Sequence, residues 1–183
     1  MTLSTEQRSW MQQAPTDHAT IQQLCIRPKS GLRQFPDKIE LCTQRGVVGD
    51  RWLHHTWMHL EDGSPDPRLQ VSILPYRTWQ LVCKEKQESG LAIHPGDTVI
   101  ADLNCSTHNL PVGQRLQLGS AIIEVSDVFN NACNKWRNRY GSDSIKWINQ
   151  KINLPLRLRG VLCKIVHSGE FTMNDTINKV CYD

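Results

Sequence analysis

Arg115-Leu116-Gln117-Leu118-Gly119-Ser120-Ala121-Ile122-Ile123-Glu124-Val125 contains two short strand-like runs with a glycine turn between them. Similar runs occur on both sides. They are Leu24-Cys25-Ile26, Ile39-Glu40-Leu41-Cys42, Val71-Ser72-Ile73-Leu74, Thr98-Val99-Ile100-Ala101 and Gly160 to Val166. Gly46, Gly49, Gly96, Gly113 and Gly169 punctuate them, often beside Asp, Asn or Ser. The last run, with Gly169-Glu170 between Lys164-Ile165-Val166 and Phe171-Thr172-Met173, reads as a hairpin. Two helices interrupt the strands. One is predicted from Pro75 to a stop at Gly90, the other from Ser142-Asp143 with Ile145, Ile148 and Ile152 on one face. Helices do not alternate with strands, which disfavours a doubly wound sheet. The pattern predicts a mainly β, α+β protein: a β-barrel decorated by a few helices.

The chain of 183 residues fits one domain that buries roughly two thirds of its unfolded surface. Residues 1–20 read as an N-terminal extension, in which Ser4 followed by Gln7 is suited to cap a short helix, and residues 21–183 as the domain itself. A formal charge of +3 is too small to imply nucleic-acid binding. The positive charge is clustered, in Arg27, Lys29 and Arg33, in Lys135 to Arg139, and in Arg157 to Arg159. No apolar segment reaches signal-peptide or membrane-spanning length, so a cytoplasmic protein without membrane attachment is expected. The seven cysteines, Cys25, Cys42, Cys83, Cys105, Cys133, Cys163 and Cys181, include no CxxC pair. That fits a reducing compartment with mostly inert thiols.

Cys133 is the exception. It follows the Ala121–Val125 run and precedes Lys135, Arg137 and Arg139. Nearby positive charge favours the thiolate, the form that binds soft metals and carries sulfur. Other chemistry-bearing segments admit two readings. Gly46-Val47-Val48-Gly49-Asp50-Arg51 is either a turn whose Asp accepts backbone hydrogen bonds or a binding loop. Arg27-Pro28-Lys29-Ser30-Gly31 is either an exposed basic loop or a phosphate-holding one, without P-loop spacing. His55 and His59 have the spacing of one helix face, but the HExxH glutamate is absent and Trp52 and Trp57 fit a packed segment equally well. GxSxG and GxGxxG are also absent.

Taken in order, these segments resemble the MOSC domain, the fold related to the C-terminal domain of molybdenum-cofactor sulfurases. The resemblance covers about residues 21–180. It rests on Arg27-Pro28-Lys29-Ser30, Gly46 to Arg51, Arg68-Leu69-Gln70-Val71-Ser72, Pro95-Gly96-Asp97, Leu110-Pro111-Val112-Gly113, Cys133 to Gly141, Leu158-Arg159-Gly160-Val161 and Asn174-Asp175. It implies a barrel whose open end holds Cys133. For members that reduce N-hydroxylated bases, it implies that Cys133 ligates molybdenum of a bound molybdopterin cofactor, electrons coming from a partner protein. For sulfurase-like members, it implies that Cys133 carries sulfur as a persulfide received from a pyridoxal-phosphate cysteine desulfurase. The implied cofactor contacts are Lys29, Ser30, Asp50, Arg51 and Arg68, joined by Lys135 and Arg139 beside the thiol. Trp136 and Tyr140 would flank the pterin or fill the core. The chain lacks the Gly-Glu-Asn triplet many members carry after Gly96, and Ala132 stands where a proline often precedes the cysteine. Those departures leave a third possibility, a cofactor-free binding module on the same barrel.

Overall fold

The computed structural model describes residues 4–90 and 93–180. Among the described residues, seven strands close a barrel in the order β1 (His18–Leu24), β10 (Thr176–Lys179), β6 (Arg115–Leu118), β7 (Ala121–Val125), β8 (Val161–His167), β4 (Val71–Pro75) and β5 (Val99–Ala101). Neighbours run antiparallel except β4 and β5, which are parallel and register Ile73 with Val99. A separate three-stranded sheet joins β3 (Gly46–Val47), β2 (Lys38–Cys42) and β9 (Gly169–Thr172). The expected helix-decorated barrel is therefore present.

Strand alternation decides what lies inside. Val71, Ile73, Val99, Ala101, Ala121, Ile123, Val125, Val161, Cys163 and Ile165 point inward and pack as one apolar core. Each valine and isoleucine among them contributes about 1.5–3 kcal/mol by leaving water. The opposite residues of β4 and β5, Leu74 and Ile100, are also fully buried, against Met11, Trp136, Tyr140, Trp147, Ile148 and Leu158. Apolar side chains on both faces of β4 give it the unbroken burial of a strand covered on two sides. That outer layer holds α5 (Asn134–Tyr140) and α6 (Ser142–Ile148) against the barrel wall.

Several elements differ from expectation. The first strand begins at His18, where polar outward residues alternate with buried Ala19 and Ile21, and so takes in the end of the expected extension. The extension itself carries α1 (Thr5–Gln12), with Ser4 and Gln7 forming a reciprocal capping box. Met11 in the outer layer and an Arg8 Nη2 to Asn153 Oδ1 bond of 2.6 Å dock it. The hairpin expected around Gly169-Glu170 does not form: β9 leaves β8 and pairs with β2. At that corner a Cβ on Gly169 would lie 2.6 Å from the Ala121 backbone nitrogen, so the chain passes close to the β6–β7 turn and diverges. The helix after Pro75 starts as α3 (Tyr76–Thr78), widens into a π turn over Trp79–Lys84 and ends as α4 (Glu85–Glu88). α6 stops at Ile148, and Ile152 lies exposed in a 3-10 turn, Lys151–Leu156, rather than on the apolar face. His59 falls outside the short α2 (Trp52–His55), so His55 and His59 share no helix.

Candidate functional site

Cys133 occupies the N-cap of α5 in extended backbone geometry, and its side chain is exposed. The residue before it is clamped: Asn149 Oδ1 accepts from Ala132 N at 3.3 Å, and Asn149 Nδ2 donates to Ala132 O at 3.2 Å. Behind the thiol, Trp136 and Tyr140 are buried core residues one helical turn apart. They pack, with ring centroids 4.6 Å apart, so the alternative of aromatic rings flanking a ligand is not realised. Trp136 Nε1 donates to Ser144 Oγ at 3.1 Å. The resemblance implied a cysteine in the open end of the barrel. The barrel interior is filled with hydrocarbon, and Cys133 opens α5, whose buried residues pack in the outer layer.

The segment before β5 is the hub that gathers cations beside this layer. The Arg159 guanidinium lies 4.8 Å over the Trp136 ring and donates to Asp97 Oδ1 at 2.7 Å. Burial works against its charge, but Asp97, Cys83 and Cys133 together hold its pKa above the ordinary arginine value. Arg159 is thereby a cation within electrostatic reach of the Cys133 sulfur. Arg139 Nη1 donates to Pro95 O at 2.9 Å, and Tyr140 Oη donates to Ile93 O at 2.6 Å, which ties α5 to the hub. Gly96 takes φ of 88°, and a Cβ there would lie 3.2 Å from Arg33 Nε and 3.3 Å from Arg27 Cδ. Its lack of a side chain lets both arginines lie across the backbone.

Asp97 and Asp50 compensate this cluster only in part, through Arg159 and Arg27. Burial, reinforced by Arg139 and then Arg27, lowers the Arg33 pKa, and its buried Nε has no partner among the described residues. His94 is buried, and its pKa is lowered to about 4, by burial first and by the Arg33 and Arg139 charges against a contrary pull from Asp97. Gly96 N donates to His94 Nδ1 at 3.0 Å, so the neutral ring carries its proton on Nε2. That buried Nε2 and Asp97 Oδ2 are also without partners. Buried donors left open among guanidiniums suit an anion.

Asp50 is fully engaged by its neighbours. It accepts from Arg27 N at 2.8 Å, Arg27 Nε at 2.9 Å, Arg27 Nη2 at 3.2 Å and Trp52 N at 2.9 Å. The carboxylate thus anchors the Arg27 loop to the start of α2 and has no lone pair aimed at a ligand. Arg51 caps α2, donates its backbone N–H to Arg27 O at 3.0 Å, and lines a shallow cleft of about 90 Å³ on the outer face of β4 and β8. Arg68 is held by Asp66 at 2.7 Å and Asp127 at 3.1 Å, so two carboxylates already neutralise it. Lys29 and Ser30 sit exposed at the tip of the loop, where Leu32 N donates to Lys29 O. Lys135 is exposed on α5. The structure therefore groups Arg139 with the hub and places Asp50 and Arg51 at the adjoining cleft. No group of three or more His, Cys, Asp or Glu side chains suited to a metal exists among the described residues.

Arg33, His94, Asp97 and Arg159 were not singled out as site residues by sequence. Arg33 and Arg159 stood within the basic clusters, and Asp97 within Pro95-Gly96-Asp97, but only the fold brings them together. His94 carried no sequence signal.

No family model and no curated protein matches the chain. Solved structures do. A protein described as hypothetical aligns over 97% of this chain and 72% of its own, with 17% identity and a TM-score of 0.63. YuaD from Bacillus subtilis aligns over 91% of this chain and 97% of its own at 18% identity and a TM-score of 0.59. YiiM from Escherichia coli aligns over 91% and 71% at 16% identity and a TM-score of 0.60. At these identities the likeness shows a shared fold across nearly the whole chain.

Proposed function

We propose that this is a cytoplasmic MOSC-domain protein that binds the molybdenum cofactor and reduces N-hydroxylated bases. The colinear sequence resemblance and the fold shared with YuaD and YiiM support the domain assignment. One observation carries the cofactor reading: an exposed cysteine lies within electrostatic reach of Arg159, which Asp97 links to a group of arginines that the local carboxylates only partly neutralise. The residues fit the group. A soft thiolate suits molybdenum, and Arg33, Arg139 and the Nε2–H of His94 suit a terminal phosphate. When bound, the cofactor supplies the metal centre at which oxygen is removed from the substrate nitrogen.

The chain's own residues orient and balance charge. Cys133 is the ligand, and Arg159, fixed by Asp97, offsets the negative charge of its thiolate. Asp50 holds Arg27 beside Gly96, and neutral His94 offers a hydrogen-bond donor without adding charge. Two electrons and two protons convert N–OH to N–H and water, so an electron-donor protein is required. The test uses protein from a cofactor-competent host with a reduced dye and an N-hydroxylated amidine. Turnover is expected in wild type and lost in Cys133→Ala with an unchanged circular dichroism spectrum. Equal turnover in the two proteins refutes the reading.

The exposure of Cys133 favours one second reading, sulfur carriage, because a partner desulfurase needs direct access to the thiol. The Cys133 thiolate would attack the outer sulfur of the donor persulfide, and the donor cysteine would leave as its thiolate. Incubation with a pyridoxal-phosphate cysteine desulfurase and cysteine should then add the mass of one sulfur to Cys133. An unmodified chain dismisses this reading.

A further inference from the structure

Three large apolar side chains stand open to water around the hub: Leu32 is 46% exposed, Phe35 50% and Ile93 50%. Phe35 and Ile93 bracket His94, the first by its ring, edge to face at 5.1 Å, the second as its chain neighbour. Leu32 and Phe35 flank Arg33, whose Nε lies 3.2 Å from the Cβ position of Gly96. The loop that carries them is held in place, because Ile26 and Gln34 exchange two backbone hydrogen bonds of 3.0 Å at its base. On the far side, Tyr140 Oη donates to the Ile93 carbonyl at 2.6 Å. Residues 27–35, residues 93–96 and α5 thus form one surface with an apolar centre. Such a patch, rimmed by polar groups, marks an interaction site.

The rim is cationic. Residues 27–35 carry Arg27, Lys29 and Arg33, α5 carries Lys135, Arg137 and Arg139, and neither these segments nor residues 93–96 contain a carboxylate. Asp50 and Asp97 are buried and paired, with Arg27 and Arg159. Lys29 and Lys135 are exposed, and Lys135 lies one turn before Arg139, which donates to Pro95 O. Lys86 Nζ lies 3.4 Å from the Cβ position of Gly141 and adds a cation at the end of α5. An apolar centre inside a positive rim complements an acidic protein surface. It suits a nucleic-acid strand poorly: Leu32 and Ile93 have no ring on which a base could stack, and they interrupt the cationic track.

We propose that this surface docks a small acidic electron-donor protein, with Leu32, Phe35 and Ile93 at the centre of the contact and Lys29, Lys86 and Lys135 at its rim. The inference rests on the reductase reading, which requires a donor protein. That donor is oxidised by two electrons in all, while N–OH and two protons become N–H and water. The surface borders the hub that fixes Arg159 near Cys133, so a donor seated there adjoins the site of chemistry. Three apolar side chains make a small contact, of the kind redox partners use for brief encounters that bury less than about 1,200 Å².

The test first titrates the full-length, cofactor-free protein with flavodoxin and with a plant-type ferredoxin, two small acidic redox proteins, and follows binding heat. Saturable binding of at least one is expected. It should weaken at least about tenfold between about 10 and about 150 mM salt, as the screening length shortens from about 30 to about 8 Å. Leu32→Glu and Ile93→Glu place a carboxylate in the contact and should each weaken binding at least about tenfold with unchanged melting. Ile152→Glu alters an exposed apolar position beside α1 and should bind like wild type. Cofactor-loaded Ile93→Glu should then keep its turnover with reduced dye and lose turnover driven by the protein donor. Binding intact with no dye turnover in wild type supports the docking surface and refutes the reductase reading, which separates the two failures. The proposal is overturned by absence of saturable binding of both proteins, by equal affinity in wild type and both glutamate variants, or by tighter binding of an oligothymidylate than of either protein.

Discussion

Acidification should unfold this protein in part through one histidine, and the effect can be isolated. His94 is 2% exposed and lies against Phe35, with the rings edge to face at 5.1 Å. The charges around it are Asp97, Arg33 and Arg139. Burial and the two arginines bring its pKa from an ordinary 6.5 to about 4. The gap of roughly two and a half decades in proton affinity corresponds to about 3 kcal/mol. Its sign follows from the unfolded chain binding the proton more tightly. The contribution is complete above pH 6.5 and is lost as pH falls through 4. His94→Asn removes the titrating group. Urea unfolding of both proteins from pH 7.5 to 4 should show wild type losing about 3 kcal/mol more than the variant. Carboxylates such as Asp66, whose pKa is lowered by Arg68, titrate in both proteins and cancel in the comparison. Parallel stability profiles, or an NMR titration of His94 with a midpoint near 6.5, would refute the reasoning.

Further predictions follow from packing and exposure. Gly160→Ala would place a Cβ 1.8 Å from Ile73 O at φ of 83°, so a loss above about 3 kcal/mol in denaturant unfolding is expected, whereas Gly113→Ala, at φ of 88° with nothing within 4 Å, should cost only about 1 kcal/mol. Asp97→Ala strands the largely buried Arg159 and should destabilise by about 3 kcal/mol, measured the same way. Timed alkylation with mass spectrometry should modify Cys133 and then Cys42, the latter assisted by Arg45, which lowers its pKa. Cys25, Cys83 and Cys105 should lag, because burial pushes their thiols up to about 11, 12 and 12.

The barrel was legible because its strands alternate. Ala121–Val125 and Arg115–Leu118 show apolar residues at every second position, and their expected limits match β7 and β6. β1 was read late because Gln22 and Gln23 dilute its apolar positions, and the sheet context that makes Ala19 and Ile21 core residues is more than a hundred residues away, in β10. α5 went unread because it is short and its only helical signal is the four-residue spacing of Trp136 and Tyr140. For the site, the exposed cysteine and the basic clusters were visible as composition. Which arginines remain uncompensated was not, since that depends on contacts such as Arg68 with Asp127 and Arg159 with Asp97, joined across 59 and 62 residues. Buried donors such as Trp52 Nε1 have no sequence signature at all.

The most direct measurement of the central claim is metal analysis of wild type beside Cys133→Ala, both purified from a host that makes molybdenum cofactor. The account predicts molybdenum near one atom per wild-type chain, on the order expected for a single ligating thiolate, and a sharp loss in the variant. Molybdenum absent from wild type, or present equally in both proteins, would contradict it.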